Sequence, residues 1–433
     1  MTLFDVMKTY GKRPAVISGN DTVSYYDLLI MISKSATLIS ALNRSKIIIK
    51  FSDSLEFIVA FLGCYYCNVQ PVVVSNTADS STIAHIIEQA GCDFILSHDN
   101  FKLQDLNNQV ECSDMHLKSS RFFLCTSGTT GYIKLVEHKF SSILGTGLQF
   151  NNILKITSDF VLFSAAKMSH AFGMGNSISI PFSNGASVVI DSRTPTREVI
   201  DEILTSNNIT MLCGIPRHFL SIPEGKFNFK YALLAGEQTP YSINQLLVSH
   251  NITPIDAIGT TETLGFYLTK YLYGIRYDDF VTVPGCELVL IPTEGDYEVK
   301  IRSEHSAIGY INNKFIDGFY HTGDLVSLHA GQMQFKGRRG DRVKINGLHY
   351  YLNDIDNQIK QCDGVIDCAC TITQNKLGIN KLTVNAIVAD RQHIKNIKSL
   401  MSRKQIPYYI NLVSSLPKTA SGKVKRHAIT SAC

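Results

Sequence analysis

Strand-like apolar runs alternate with helical segments along much of this chain, and that alternation constrains the fold more than any other feature. Lys46 to Phe51 reads as a strand, Glu56 to Tyr66 as a mostly buried helix, and Pro71 to Val74 as the next strand. Asp79-Ser80 caps a helix from Ser81 to Ala90 that stops at Gly91, and Phe94 to Ser97 resumes the strands. The pattern returns with a helix at Thr196 to Asn207, strands at Ile209 to Cys213 and Tyr231 to Ala235, a helix at Ser242 to His250 and a strand at Pro254 to Ile258. Such alternation specifies an α/β fold built on parallel sheet, whose ligands bind beyond the ends of the strands.

Past Gly337 the texture changes. A polar stretch with Gly337, Gly340 and Gly347 leads into a short helix, Asn353 to Gln361, and strand-like Val365 to Thr373 and Leu382 to Val388. A helix at His393 to Ser402 and a last strand near Tyr409 to Val413 complete a small α+β unit. The expected organisation is a large domain over 1–337, a hinge at 338–341 and a small C-terminal domain over 342–433, and 433 residues leave room for both.

Composition removes several function classes. Apolar residues make up 45% and charged residues 18%, with a net charge of +4, and there is no basic, aromatic-interleaved patch of the kind that binds nucleic acid. No stretch approaches the roughly 18 to 20 apolar residues of a membrane helix; the best, Phe57 to Val74, is broken by Asn68 and Gln70. The N-terminus lacks the basic and apolar regions of a signal peptide, so a cytoplasmic protein is expected. Eleven cysteines then imply reduced thiols. Cys64 and Cys67 have redox spacing but lie inside the apolar helix and read as packing, and Cys362, Cys368 and Cys370 lack the histidines of a zinc site.

The chemistry begins at Thr126-Ser127-Gly128-Thr129-Thr130-Gly131-Tyr132-Ile133-Lys134, directly after the apolar run Arg121 to Cys125. Glycines let backbone approach an anion, hydroxyls and N–H groups donate, and a lysine adds charge. A kinase or GTPase loop would place its lysine immediately after the last glycine, with a hydroxyl next; here two residues separate Gly131 from Lys134, and Leu135 follows. A polar surface turn is the remaining alternative for the segment alone.

Four further segments follow: Ile258-Gly259-Thr260-Thr261-Glu262-Thr263, Phe319-Tyr320-His321-Thr322-Gly323-Asp324-Leu325, Gly337-Arg338-Arg339-Gly340-Asp341-Arg342-Val343-Lys344-Ile345-Asn346-Gly347, and Leu416-Pro417-Lys418-Thr419-Ala420-Ser421-Gly422-Lys423-Val424-Lys425-Arg426. In this order the five segments resemble the core motifs of the adenylate-forming superfamily of acyl- and aryl-CoA synthetases, peptide-synthetase adenylation domains and luciferases. Leu55 to Gly63 is similar to an early helix of that family, so the resemblance covers nearly the whole chain.

The resemblance implies ATP-dependent activation of a carboxylic acid as an acyl-adenylate, with release of pyrophosphate and transfer to a thiol. Thr126, Ser127, Gly128, Thr129, Thr130, Gly131 and Lys134 would hold the β- and γ-phosphates. Thr261 would contact the α-phosphate and Glu262 would bind Mg²⁺. Asp256 would read the adenine amino group, with Gly236 and Glu237 lining the base. Asp324 would take the ribose hydroxyls and Arg338 a further ribose or phosphate contact. Lys423 would bridge the carboxylate and the α-phosphate, carried by a small domain that swings on the hinge. His170, in Lys167 to Gly175, would position the carboxylate or the thioester nucleophile.

The chain departs from the pattern at several places. The usual Pro-Lys-Gly is Ile133-Lys134-Leu135, the aromatic residue expected before Gly259 is Ile258, and the hinge carries Gly340. No aspartate occurs from Lys167 to Ser179 to pair with a substrate ammonium, and an unpaired buried ammonium is costly, so an aryl or acyl acid is expected rather than an α-amino acid. Its pocket walls are His170 to Gly175, Leu212 to Ile215 and Thr263 to Phe266. The thiol belongs to coenzyme A or to the phosphopantetheine of an acyl or aryl carrier protein, and a degenerate nucleotide-binding protein is the reading from another class.

Overall fold

The computed structural model describes the chain except at residues 111–119, 128–132, 221, 223–224, 226–227, 346–347, 375–379, 405, 419–423 and 430–433. Contacts divide the protein into two compact units, Met1–Leu288 with Ile301–Tyr320, and Val289–Lys300 with His321–Cys433. The division falls upstream of the sequence boundary, and Arg338 to Asp341 lie within the second unit.

Two sheets organise the first unit. In one, strands Met211–Gly214, Tyr231–Leu234 and Thr253–Gly259 run parallel on one side of Val161–Ser164, with Ser187–Val189 and Pro14–Ser18 parallel on the other. Antiparallel strands Phe266–Leu272 and Ile275–Thr282 extend it past Thr253–Gly259. In the second sheet, Ile95–Ser97, Lys46–Lys50, Gln70–Val73 and Arg121–Ser127 are parallel, and Ile133–Lys139 returns antiparallel to the last of these. The expected α/β class holds, with antiparallel additions that the alternation did not announce.

Local chemistry sets the helices. Ser54 caps Leu55–Tyr66 by accepting from the Phe57 N–H, Asp79 caps Ser80–Ala90 through the Thr82 N–H, and Thr196 caps Arg197–Ser206 through the Val199 N–H. Gly91 closes its helix in the left-handed region at φ 62°. Helix Leu55–Tyr66 is buried from Phe57 to Tyr65, which accounts for Cys64 as a core residue. Phe61 packs edge-on to Phe122 at 5.3 Å, and truncating such a side chain to alanine costs about 3–5 kcal/mol.

The second unit contains the antiparallel pair Tyr320–His329 and Gln332–Arg338, the hairpin Arg342–Ile345 with Leu348–Tyr351, and a sheet of Val365–Gln374, Asn380–Val388 and Tyr408–Leu412. Helices Leu352–Lys360 and Ile394–Lys404 accompany that sheet. Cys368 and Cys370 are fully buried in its core with Ile359, Val384 and Ile397, as packing residues. Among the described residues no helix is long and apolar enough to cross a membrane.

Candidate active site

The two ends of the glycine- and hydroxyl-rich segment lie on paired antiparallel strands. Thr126 and Ser127 end the strand Arg121–Ser127 and pair with Lys134 and Ile133 of the return strand. Gly128, Thr129, Thr130 and Gly131 lie outside the described residues. Lys134 therefore sits on an extended strand, where the peptide geometry fixes the direction of its side chain. Its ammonium lies 5.0 Å from the centre of the Tyr310 ring, a cation–π contact. Leu135 points the other way and is buried among Ile48, Val72 and Phe123. That packing is the physical reason for leucine where the resemblance expects glycine.

A turn, Thr260 to Gly265, follows the strand Thr253–Gly259 and is held from several sides. The Thr263 N–H bonds the Thr260 carbonyl at 3.2 Å, and the Thr263 hydroxyl accepts from the Thr260 N–H at 2.9 Å. Gly259 is required here, because a Cβ on it would come within 2.3 Å of the Gly265 carbonyl oxygen. Leu264 takes φ 57°, a left-handed conformation costly for a branched residue and characteristic of functional turns.

Glu262 is buried on this turn at 5% exposure. The Tyr310 hydroxyl donates to its Oε1 at 2.9 Å, and its own carbonyl accepts from the Ala307 N–H at 2.7 Å. Burial, and then the Glu262 charge, push the Tyr310 hydroxyl well above its ordinary pKa, so it remains a donor. The Thr261 carbonyl faces Nε2 of His138, 2.9 Å away. His138 is fully buried and stacked on Phe122, and burial pushes it down to about 4. It is therefore the neutral imidazole, with its proton on Nε2. The hydroxyl of Thr260 is buried without a hydrogen-bond partner among the described residues.

Asp256 lies within the strand Thr253–Gly259, buried at 5% exposure. Asn244 donates to its Oδ2 at 3.0 Å, while Oδ1 has no partner among the described residues. Ile258 is half-buried two residues on. Ala235-Gly236-Glu237 follows the neighbouring strand, with Gly236 at φ 87° and Glu237 exposed.

His170 is half-buried at the N-terminal end of a broken helix. Ala171–Met174 is α-helical, Gly175–Ser179 forms a π-turn and Ile180–Asn184 resumes α-helix around Pro181; π-turns of this kind recur at functional sites. The Met168 N–H donates to Asp53 Oδ1 at 2.8 Å, which ties the segment before His170 to the end of another strand. Burial pushes the Asp53 carboxyl up to about 6. Phe172 meets Phe266 edge-on at 6.0 Å, so two of the expected pocket walls touch through aromatic rings.

In the second unit, Asp324 and Arg338 face each other across an antiparallel pair, with the guanidinium Nε 3.0 Å from Asp324 Oδ1. Asp324 is 1% exposed, and its N–H donates to the Thr322 hydroxyl. Lys423 lies outside the described residues. Near it in sequence, Arg426 reaches Asp356 at 2.7 Å and Asp341 at 3.4 Å and donates to the Cys370 carbonyl at 2.8 Å. Lys418 binds Asp367 at 2.6 Å.

The structure thus brings Lys134, Thr261 and Glu262 together through Tyr310 and His138, and pairs Asp324 with Arg338. Sequence reasoning missed Tyr310, His138 and Asp53. His138 could have been found, since it is four residues past Lys134 and so on the same side of the strand.

Glu262 is the residue that the resemblance assigns to a cation. Among the described residues no three His, Cys, Asp or Glu side chains converge on one point, so Glu262 offers one carboxylate. That donor set suits Mg²⁺, which is bound by one or two carboxylates together with substrate phosphates.

This α/β architecture, with a pinned Thr-Glu turn at a strand end, is that of the adenylate-forming enzymes. The family model for AMP-binding enzyme matches residues 3–122 and 113–305, and the chain belongs to that family. It is similar to the benzoate–CoA ligase of Thauera aromatica, 23% identical over 98% of this chain and 93% of that protein. The anthranilate CoA ligase AuaEII bound to anthranoyl-AMP has the same fold, with a TM-score of 0.87, 19% identity and coverage of 99% of this chain and 96% of that one. The O-succinylbenzoate coenzyme A synthetase of Bacillus subtilis with ATP and magnesium ion gives a TM-score of 0.84, 18% identity and 98% coverage of each chain.

Proposed function

We propose that this protein activates an aryl carboxylic acid with ATP, releasing pyrophosphate to form an acyl-adenylate, and transfers the acyl group to the thiol of coenzyme A. The observation that carries the reading is the meeting of the Thr261–Glu262 turn with the strand that bears Lys134: the buried carboxylate accepts from the Tyr310 hydroxyl, and the exposed lysine lies over the same tyrosine's ring. The family, and the benzoate and anthranilate ligases among the similar proteins, support the substrate class. The aromatic contact between Phe172 and Phe266 in the expected pocket walls is consistent with it.

A carboxylate lacks a leaving group, and adenylation provides one. Negative charge grows on phosphoryl oxygens as the carboxylate attacks, so preorganised donors and cations set the rate. Lys134 and the hydroxyls of Thr126 and Ser127 bind the departing pyrophosphate, with Gly128, Thr129, Thr130 and Gly131 as the glycine and hydroxyl part of the cradle. Glu262 holds Mg²⁺, which when bound neutralises polyphosphate charge. Thr261 donates to the α-phosphate. Asp256 Oδ1, without a hydrogen-bond partner among the described residues, accepts from the adenine amino group, and Gly236 and Glu237 border the base. Asp324, oriented by Arg338, accepts from the ribose hydroxyls. His170 orients the acid, and Lys423 bridges carboxylate and α-phosphate as a point charge. Arg338 to Asp341 serves as the hinge of a mobile C-terminal domain.

The test is acid-dependent exchange of pyrophosphate into ATP across a panel of benzoates and medium-chain acids. Exchange with a benzoate and none with α-amino acids is expected. ATP binding without exchange against any acid favours a non-catalytic nucleotide-binding protein.

A further inference from the structure

Tyr310 belongs to none of the segments singled out in the sequence, yet it touches two residues assigned to the polyphosphate end of the site. It lies on a two-residue strand, Gly309–Tyr310, opposite Val136 of the lysine-bearing strand on one side and Asn313 on the other. Gly309, at φ 155°, permits this placement, since a Cβ there would lie 2.3 Å from the Asn313 carbonyl oxygen. Phe315 meets the Tyr310 ring edge-on at 5.6 Å and fixes its plane. The ring receives the Lys134 ammonium at 5.0 Å, and the hydroxyl donates to Glu262 Oε1 at 2.9 Å.

A lysine and a carboxylate this close to one residue have an obvious alternative, a direct ion pair. That pair would satisfy both charges internally, and neither would be available to a phosphate or a cation. We propose that Tyr310 is a positioning residue that keeps Lys134 and Glu262 apart: its ring takes the cation, its hydroxyl takes one carboxylate oxygen, and both charges stay presented to a metal–nucleotide. The inference rests on the functional reading above, in that Lys134 and Glu262 are its phosphate and metal contacts.

The division of labour between ring and hydroxyl makes the idea separable from a general packing role. Tyr310→Phe retains the ring under Lys134 and leaves Glu262 without its donor. Tyr310→Leu removes both partners and permits the ion pair. Glu262→Gln in the Leu background removes the carboxylate that would capture Lys134.

Binding is measured on the whole 433-residue chain without any acid. Manganese(II)–ATP association is read by electron paramagnetic resonance, metal-free ATP association by calorimetry, and folding by thermal unfolding. Loss of one hydrogen bond to a charged group predicts that Tyr310→Phe weakens manganese–ATP binding roughly tenfold while leaving metal-free ATP binding within about twofold of wild type. Tyr310→Leu weakens both. Adding Glu262→Gln to Tyr310→Leu restores metal-free ATP binding toward the wild-type value.

The proposal is overturned by wild-type metal dependence in Tyr310→Phe, by equal loss of metal-free binding in Phe and Leu variants, or by no recovery in the double variant when it folds. Should Tyr310→Leu not fold, the Phe variant alone decides through its split between metal-bound and metal-free ATP. Failure of the wild-type chain to bind ATP with or without manganese overturns the functional reading and this inference with it. Binding by wild type with unchanged variants overturns the inference alone.

Discussion

His138 Nε2 donates a hydrogen bond to the Thr261 carbonyl across 2.9 Å, joining the strand that carries Lys134 to the turn that carries Glu262. Both residues come from parts of the sequence more than a hundred positions apart, and the bond is made by a fully buried, neutral ring. Replacing His138 with leucine leaves the carbonyl unsatisfied, which costs about 1–3 kcal/mol. Urea unfolding of His138→Leu is expected to show that loss, with pyrophosphate exchange falling further than the fraction unfolded explains. Unchanged exchange in the folded fraction would remove His138 from the positioning of the turn.

Acid stability follows from the same ring. Burial depresses His138 and His218 to about 4, so the unfolded chain, with histidines near 6.5, binds more protons between those values. Stability then rises with pH in that window and is lost as pH falls from about 6.5 toward 4, by on the order of 3 kcal/mol per histidine at most. Asp53 acts in the opposite sense: its carboxyl is raised to about 6, so its contribution is present at low pH and lost as pH rises through 6. Urea midpoints at pH 7, 5.5 and 4.5 should fall in that order, and His218→Leu, if folded, should flatten the slope.

Glu262→Gln keeps an oxygen that can accept from Tyr310 and removes the charge. Exchange activity is expected to drop about 100-fold or more, with the thermal midpoint within a few degrees of wild type. A variant that retains activity at saturating Mg²⁺ would show that the carboxylate is structural.

Gly340 occupies a single turn, Arg339–Asp341, whose neighbours are anchored: Arg339 binds Glu298 at 2.7 Å, and Asp341 accepts from Asn353 at 2.8 Å. A Cβ on Gly340 meets nothing within 4 Å, so Gly340→Ala should fold and work. Gly340→Pro fixes φ and removes an N–H. Single-turnover measurements should show thioester formation reduced about tenfold more than adenylation, and equal loss of both would place the hinge elsewhere.

The parallel core was legible because its determinants are local. Asp79, Thr196 and Gly91 announce helix ends by residue type, and runs such as Lys46 to Phe51 announce buried strands. The return strand Ile133–Lys139 was not, since its pairing with Arg121–Ser127 goes with burial of Leu135 against Ile48, Val72 and Phe123, a tertiary contact. Tyr310 was hidden for a stronger reason. A two-residue strand has no periodicity, and its value comes from partners at 134 and 262 that only the folded chain brings to it. The order of the motifs identified the family; the groups that hold the motif residues in place came from tertiary contacts.

The proposed reaction yields an acyl-adenylate and then a thioester. Incubation with ATP, Mg²⁺, coenzyme A and a benzoate, followed by mass spectrometry and nucleotide analysis, tests it most directly. AMP, pyrophosphate and the benzoyl-type thioester should appear together in equal amounts, and all three should vanish when the acid is omitted. Production of ADP and phosphate, or AMP formation independent of every acid in the panel, would contradict it.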